Sequence, residues 1–260
     1  MKTVDLRLFK KIVRSIQVYF PFLKGLIYNT KFYYYKLFSV PHEKEFKGVK
    51  IFSNESDKVF LDIGANKGQS IDSILLFAPS DTKIIAFEAN PVLATRLSRI
   101  FSKSKNICIE HFGLSDTEST NVLFIPFYKK WMFDGLSSFN SIAHVNYFKH
   151  HLFNFQEKNV SVKRETCHCK RLDDLSLDPY FIKIDVENFE SNVLLGGLET
   201  IKKSLPIILI ESLDEACVKI MQSLGYRFYE YEDSKEIFVE CPPRYNTFCL
   251  HPFEHMHLIK

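Results

Sequence analysis

From residue 58 onward, apolar and polar positions alternate between two rhythms. Short apolar runs bounded by turn residues fall near 58–62, 83–88, 106–112, 180–185, 206–211, 226–231 and 244–250, and their length suits strands. Stretches between them, with apolar residues three and four apart, predict helices near 68–77, 91–103, 187–202 and 214–224. Strands alternating with helices predict a mostly parallel sheet covered on both faces. Residues 120–171 break the rhythm, because two β-rich segments, VLFIPF and SVKRETCHCKRL, flank an aromatic insertion. That stretch exceeds a usual connection and predicts a lid or acceptor-binding element.

Ahead of this pattern, Leu6, Phe9, Val13, Ile16 and Phe20 have the spacing of an amphipathic helix, with Arg7, Lys11 and Arg14 on another face and Pro21 limiting it. An aromatic stretch at 32–38 then leads to Pro41 and HEKEFKG, which reads as a link. The expected division is a basic, aromatic-rich helical arm over 1–55 and a body over 56–260 with an insertion at about 120–171.

Charge sharpens that division. The 260 residues carry a net +3, yet residues 1–40 hold eight basic side chains against one acid, Asp5, so the arm is +7 and the remainder −4. A mildly acidic body excludes a general nucleic-acid surface. A basic face opposite an apolar one suits a helix lying in a membrane interface; packing on the body or on a second subunit, in a homo-oligomer, suits the stripe equally. No run approaches the ~20 apolar residues of a membrane span. Residues 15–23 are interrupted by Pro21 and followed by Lys24, so no secretory signal is expected.

Six cysteines lack the regular spacing of a secreted disulfide scaffold, which predicts a reduced, cytoplasmic setting, with peripheral contact at the inner membrane face as the arm's contribution. Cys167, Cys169, Cys241 and Cys249 could surround zinc. Alternate residues of one strand share a face, however, so Cys167 and Cys169 read better as small apolar fillers.

The chemistry starts in VFLDIGANKGQSIDSILLFAPSDTKIIAFE, residues 59–88, where an apolar strand reaches Asp62, a turn carries Gly64 and Gly68, and a second strand ends at Glu88. This is the order of a nucleotide-binding βαβ unit. A dinucleotide turn needs glycine at Gly64, Asn66 and Gln69, and only the first complies. A carboxylate at Asp62 repels phosphate but suits an ammonium group, and S-adenosylmethionine has that ammonium and no phosphate.

With FEANP (87–91), GLSD (113–116), RLDDL (171–175) and FIKIDVENFESNVLLGG (181–197) following in order, the chain resembles the FkbM-type S-adenosylmethionine-dependent methyltransferases over roughly residues 56–230. One departure is Asn188, where the family pattern Asp-x-Glu-Gly has glycine; asparagine tolerates positive φ, so the turn can survive. The resemblance implies an α/β fold: a doubly wound, mostly parallel, seven-stranded Rossmann-like methyltransferase sheet with an N-terminal helical arm. It further implies methyl transfer to a hydroxyl oxygen, with a sugar, glycoconjugate or other small molecule as acceptor; the alternative is a non-catalytic partner protein that retains the cofactor fold.

Within that reading, Asp62, Gly64, Asn66 and Gly68 form the turn around the methionine part of S-adenosylmethionine. Glu88 accepts from the ribose hydroxyls, and Ala89 and Asn90 flank the adenosine. In GLSD, Leu114, Ser115 and Asp116 meet the adenine, although turn chemistry is a rival explanation of Ser-Asp. On the fourth strand of the alternation, Lys183, Asp185 and, if the strand persists, Glu187 project to one side. Asp185 or Glu187 is the expected base, worth ~10²–10⁴-fold in proton transfer. Lys183 orients them. A buried structural ion pair is the rival, and two carboxylates could also hold a divalent cation, too few ligands to define a metal site. Ser137 and Ser138 lie in the insertion near cofactor or acceptor, and His144, His150 and His151 read as surface or packing residues. The terminal cluster of His251, His255 and His257 reads as a tail.

Overall fold

A computed structural model of the chain describes residues 6–20, 37–52, 58–139 and 144–259. Helix α1 (Leu6–Tyr19) comes first. Strand β1 (Val59–Ile63), helix α2 (Gln69–Leu75), strand β2 (Lys83–Phe87), helix α3 (Pro91–Ile100) and strand β3 (Ile107–Glu110) then form successive parallel βαβ units. The chain leaves that sheet for β4 (Gly113–Leu114), β5 (Ser119–Tyr128), β6 (Trp131–Met132), helix α4 (His144–His151) and β7 (Val160–Lys170). It returns through β8 (Pro179–Ile184), α5 (Glu190–Leu195), α6 (Leu198–Ser204), β9 (Ile207–Glu211), α7 (Glu215–Ser223), β10 (Arg227–Glu232), β11 (Ile237–Glu240) and β12 (Asn246–Leu250).

The main sheet has the order β11-β10-β12-β9-β8-β1-β2-β3. Strands β3, β2, β1, β8 and β9 are parallel, and β12 turns antiparallel against β9. Winding runs outward from β1 in one direction and from β8 in the other, so the order reverses between them. Ligands of open α/β sheets bind at such a switch point, beyond the carboxyl ends of the strands. All seven expected strands are present. The count of seven is nevertheless corrected to eight, because β11 pairs with β10 as an edge strand too short and too closely flanked by charge to show a rhythm of its own.

The insertion forms a sheet of its own. Its β-rich segments become β5 and β7, paired antiparallel from Ser119↔Cys169 to Tyr128↔Val160 within a four-stranded sheet ordered β4-β7-β5-β6. Cys167 and Cys169 are buried on one face of β7 while His168 between them is exposed, as alternation requires. All six cysteines are free thiols, and among the described residues no group of three His, Cys, Asp or Glu side chains is placed to hold a metal ion.

The helix expected over 187–202 begins at Glu190 and is divided at Gly196 and Gly197. Glu187 and Asn188 take φ of 54° and 68°, so the turn survives without glycine as the asparagine allowed. A Cβ on Gly196 would stand 1.9 Å from the Ser115 carbonyl oxygen, which explains why the helix pair can pack on the loop after β4.

Two segments read as peripheral are packed. Phe46 and Val49, in the 3₁₀ turn Lys44–Ile51, join Phe60, Phe181, Phe238 and Phe248 in one apolar layer, so the presumed link is core to the sheet domain. The C-terminal histidine cluster is likewise no free tail. His255 is buried, its Nδ1 accepts from the His251 backbone N–H, and Leu258 enters the same layer. Most of the expected aromatic stretch at 32–38 lies outside the described residues.

Candidate functional site

A cavity of about 230 Å³ opens at the switch point. Its wall takes Gly64 and Asn66 from the turn after β1, Glu88 and Ala89 from the end of β2, and Asp185, Val186 and Glu187 from the turn after β8. Glu211, the last residue of β9, joins them, as do His42 and Glu43 from before the 3₁₀ turn. The second sheet closes the far side with Leu114, Leu123, Asp134, Gly135, Ser137 and Phe139.

The turn after β1 is shaped by its neighbours. The N–H groups of Gly64 and Ala65 both donate to the Phe87 carbonyl, at 2.9 and 3.1 Å, tying the turn to β2. Gly64 has φ 86°, and a Cβ there would lie 1.8 Å from the Asp185 carbonyl oxygen. Only glycine lets the ends of β1 and β8 approach so closely. Gly68, also at positive φ, faces Leu97 and Phe101 instead; it opens α2 and is absent from the cavity wall.

Asp62 lies beneath the turn. It is fully buried, accepts from the Ser70 hydroxyl, and leaves Oδ1 without a hydrogen-bond partner. Burial pushes its carboxyl up to about 6 against the opposing pull of Lys183 and Ser70. Its place therefore differs from the expected one: the carboxylate underlies the turn rather than lining the cavity. Glu88 does line it. Its Oε2 accepts the Asn66 N–H at 2.6 Å and its Oε1 accepts the Asn90 N–H at 2.7 Å, so one carboxylate fastens the turn after β1 to the strand end of β2. Each oxygen keeps a second lone pair. Burial raises its carboxyl to about 7, with these two donors opposing.

Asn90, Ser115 and Asp116 stand off the wall. The Asn90 side chain caps α3 by accepting from the Val92 N–H. Ser115 Oγ and Asn192 Nδ2 both donate to Asp116 Oδ1, at 2.9 and 3.3 Å, and these bonds hold the Asp116 carboxyl below its ordinary range. This is the geometry that turn chemistry predicts, whereas Leu114 and Ala89 line the cavity.

The end of β8 carries the strongest charge contacts. Every residue of β8 is buried, Lys183 included, at 2% exposure. Its Nζ lies 2.6 Å from Asp185 Oδ2 and 3.9 Å from Glu211 Oε2. Burial works against the Lys183 cation, but Asp185 and Asp62 outweigh it and keep the ammonium above its ordinary range. Burial also opposes the Asp185 anion, and Lys183 together with a hydrogen bond from Glu211 outweighs that, so Asp185 titrates low. Lys183 is not in the wall; it is the buried cation behind it. Glu187 arrives by a different route from the one expected, since β8 ends at Ile184 and the residue sits in a left-handed turn rather than an extended strand. Burial, with Asp185 and Glu211 adding, raises Glu187 to about 8. Ser138 Oγ donates to the Glu187 carbonyl at 2.6 Å, linking the second sheet to this turn.

Glu211, Glu43, His42 and Asp134 are wall residues that the sequence pattern does not single out. Glu211 was discoverable, because the carboxyl end of an apolar strand, IILIE, is where such sheets place ligand contacts. Burial and Asp185 raise it to about 7. His42 and Glu43 carry no local signal; they reach the cavity because the 3₁₀ turn is anchored in the core and the His42 N–H donates to Ser73 Oγ at 3.0 Å. Burial, then Lys183, push the His42 imidazole down to about 4, so it is neutral at pH 7. Asp134 pairs with Lys67. His150 is exposed and His151 stacks on Tyr147 at 4.1 Å, away from the wall, while the His144 side chain lies outside the described residues.

Six carboxyl groups thus face one small cavity whose remaining surface is largely apolar. That donor set suits a ligand with positive charge and hydroxyl groups. The unpartnered Asn66 Oδ1, in the turn beside Glu88, is a further acceptor left for one.

The profile of the Methyltransferase FkbM domain matches residues 62–228. Among solved structures, the chain is similar to the methyltransferase FkbM of Methylobacillus flagellatus KT, at 13% identity and TM-score 0.45, covering 74% of this chain and 42% of that one. It therefore spans about two fifths of that relative's length. It is similar also to a SAM-dependent O-methyltransferase of Thermotoga maritima, at 12% identity and TM-score 0.36 over 78% of this chain and 64% of that one. Aeropyrum pernix fibrillarin, with bound S-adenosyl-L-methionine, gives 10% identity and TM-score 0.39 over 78% and 72%. No curated protein matches the chain.

Proposed function

The chain belongs to the FkbM family of S-adenosylmethionine-dependent methyltransferases, and on that premise we propose that it methylates a hydroxyl oxygen of a sugar or glycoconjugate. The observation that carries this reading is the meeting of Asp185, Glu187 and Glu211 in the same cavity as Glu88 and the Gly64 turn.

S-adenosylmethionine, when bound, supplies a methyl group on a sulfonium. Glu88 offers its free lone pairs to the ribose hydroxyls, and Gly64 and Asn66 border the methionine part. Asp62 would contribute negative charge beneath that turn. Ala89 and Leu114 give the apolar surface for the adenine. Holding donor and acceptor together supplies much of the acceleration of a bimolecular displacement.

An acceptor hydroxyl must also lose its proton. Catalytic carboxyls work best when their affinity for a proton is close to the operating pH. Asp185, kept ionised by Lys183, orients the acceptor. Glu211 and Glu187, raised to about 7 and 8, have the proton affinity to take the hydroxyl proton. Neighbouring carboxyls driven apart in this way divide acid and base roles between them. A wall of carboxyl groups favours neutral polyhydroxylated acceptors over phosphorylated ones.

The direct test is incubation of the protein with methyl-labelled S-adenosylmethionine and a glycan extract, followed by cleavage of the labelled fraction. Label recovered as an O-methyl sugar supports the reading. Label recovered on nitrogen or carbon, with none on oxygen, overturns it.

A further inference from the structure

Helix α1 docks on α4 and the end of β5 the wrong way round for an ordinary amphipathic helix. Its inward face carries Ser15 and Val18, with Val18 packed into a cluster of Tyr128, Phe148 and Leu152. Ser15 Oγ accepts the Phe153 N–H at 2.9 Å, and the cations of Lys11 and Arg14 lie over the rings of Phe153 and Tyr147. The flank beside that face is apolar. Leu8, Ile12 and Ile16, spaced by four, form one stripe with 48%, 41% and 50% of their surfaces exposed. Docking on the protein body therefore leaves about half of the stripe's surface exposed, although a stripe of this kind normally drives such docking.

We infer that this stripe is a reversible contact for an anionic lipid surface. Helix α1 itself carries Arg7, Lys10, Lys11 and Arg14 and no acid, a local positive charge that attracts anionic headgroups while the stripe enters the acyl boundary. The same charge opposes the rival occupant, because two copies meeting through this face would bring two all-basic helices together. Among the described residues no helix is long and apolar enough to cross a membrane, so the contact is with one leaflet. The inference is independent of the acceptor's identity.

The full chain and an Ile12→Gln/Ile16→Gln variant are to be sedimented with vesicles of equal parts phosphatidylglycerol and phosphatidylcholine, and with phosphatidylcholine alone, at low and high salt. The variant changes only exposed side chains, and an unaltered melting temperature checks its fold. The full chain is expected to pellet with the anionic vesicles at low salt and to be released by high salt. The variant is expected to bind about tenfold less, because each isoleucine loses several buried CH₂ groups. A full chain that stays in the supernatant with anionic vesicles at low salt overturns the inference, as does a variant that binds equally well. Light scattering that finds a dimer which the variant dissolves, without vesicle binding, assigns the stripe to a second copy and overturns it too.

Discussion

Lys183 Nζ sits 2.6 Å from Asp185 Oδ2, with the lysine sealed in the sheet and the aspartate at the cavity wall. The pair carries buried charge from the core to the site, and Asp62 and Glu211 complete its surroundings. Removing one partner of such a pair leaves the other uncompensated, at a cost of about 3–5 kcal/mol. Lys183→Met is expected to lose stability on that scale in urea denaturation and to raise the Asp185 pKa. A variant as stable as the parent would show that the pair is not the electrostatic keystone of this sheet.

Three of the six wall carboxyls, those of Asp185, Glu187 and Glu211, are expected to separate chemistry from cofactor binding. Asp185→Asn, Glu187→Gln and Glu211→Gln each keep the side-chain volume. At least one is expected to bind S-adenosylhomocysteine as the parent does while losing about 10²-fold or more in turnover. Calorimetry and methyl-transfer assays check the two quantities separately, and three variants with parental turnover would move the base elsewhere.

Glu88 is expected to govern cofactor affinity. In Glu88→Gln one oxygen becomes an NH₂ group facing a backbone N–H, either that of Asn66 or that of Asn90. Losing a hydrogen bond to a charged group costs about 1.5–3 kcal/mol, so S-adenosylhomocysteine binding is expected to weaken about ten- to hundredfold by calorimetry. Unchanged affinity would remove Glu88 from the cofactor site.

Two glycines of the wall make a contrasting pair. Gly64→Ala places a methyl group against the Asp185 carbonyl at a positive φ, and that backbone strain alone costs about 1–3 kcal/mol. A methyl group on Gly135 would meet nothing nearer than Asn66 Nδ2, at 4.0 Å. Gly135→Ala is therefore expected to melt like the parent, and Gly64→Ala well below it or not to fold. Equal melting temperatures would contradict the close approach of β1 and β8.

Stability of the ligand-free protein is expected to fall with rising pH near neutrality. Glu88, Glu187 and Glu211 hold their protons to about 7, 8 and 7, against an ordinary 4.5. Over that interval the native state binds protons that the unfolded chain has released. The stabilisation is thus complete below about 4.5 and is lost as pH rises through 7 to 8. His42 and His255, pushed down to about 4, act in the opposite sense, but only below their ordinary 6.5. Melting temperature is expected to decline between pH 6.5 and 8, and Glu187→Gln to flatten the slope. A parent whose melting temperature rises across that interval would place these carboxyls in a wetter setting than the cavity.

The sequence by itself determined the parallel α/β sheet, the β1 turn with Gly64, and the acids that close the strands, because strand rhythm and turn chemistry act between neighbours in the chain. Local pattern was also enough to mark residues 120–171 as no ordinary crossover. Tertiary structure decided which acids face the cavity. Asp62 and Asp116 carry the same group as Glu88 and Asp185, yet packing sinks the first beneath the turn and binds the second to Ser115 and Asn192. Glu187 reaches the wall through a left-handed turn that strand alternation does not describe. His42 and Glu43 reach it because Phe46 and Val49 are buried against strands remote in sequence. The face that α1 turns inward was likewise open until its partner was in place, since a single helix specifies its stripes but not which of them its neighbours will cover.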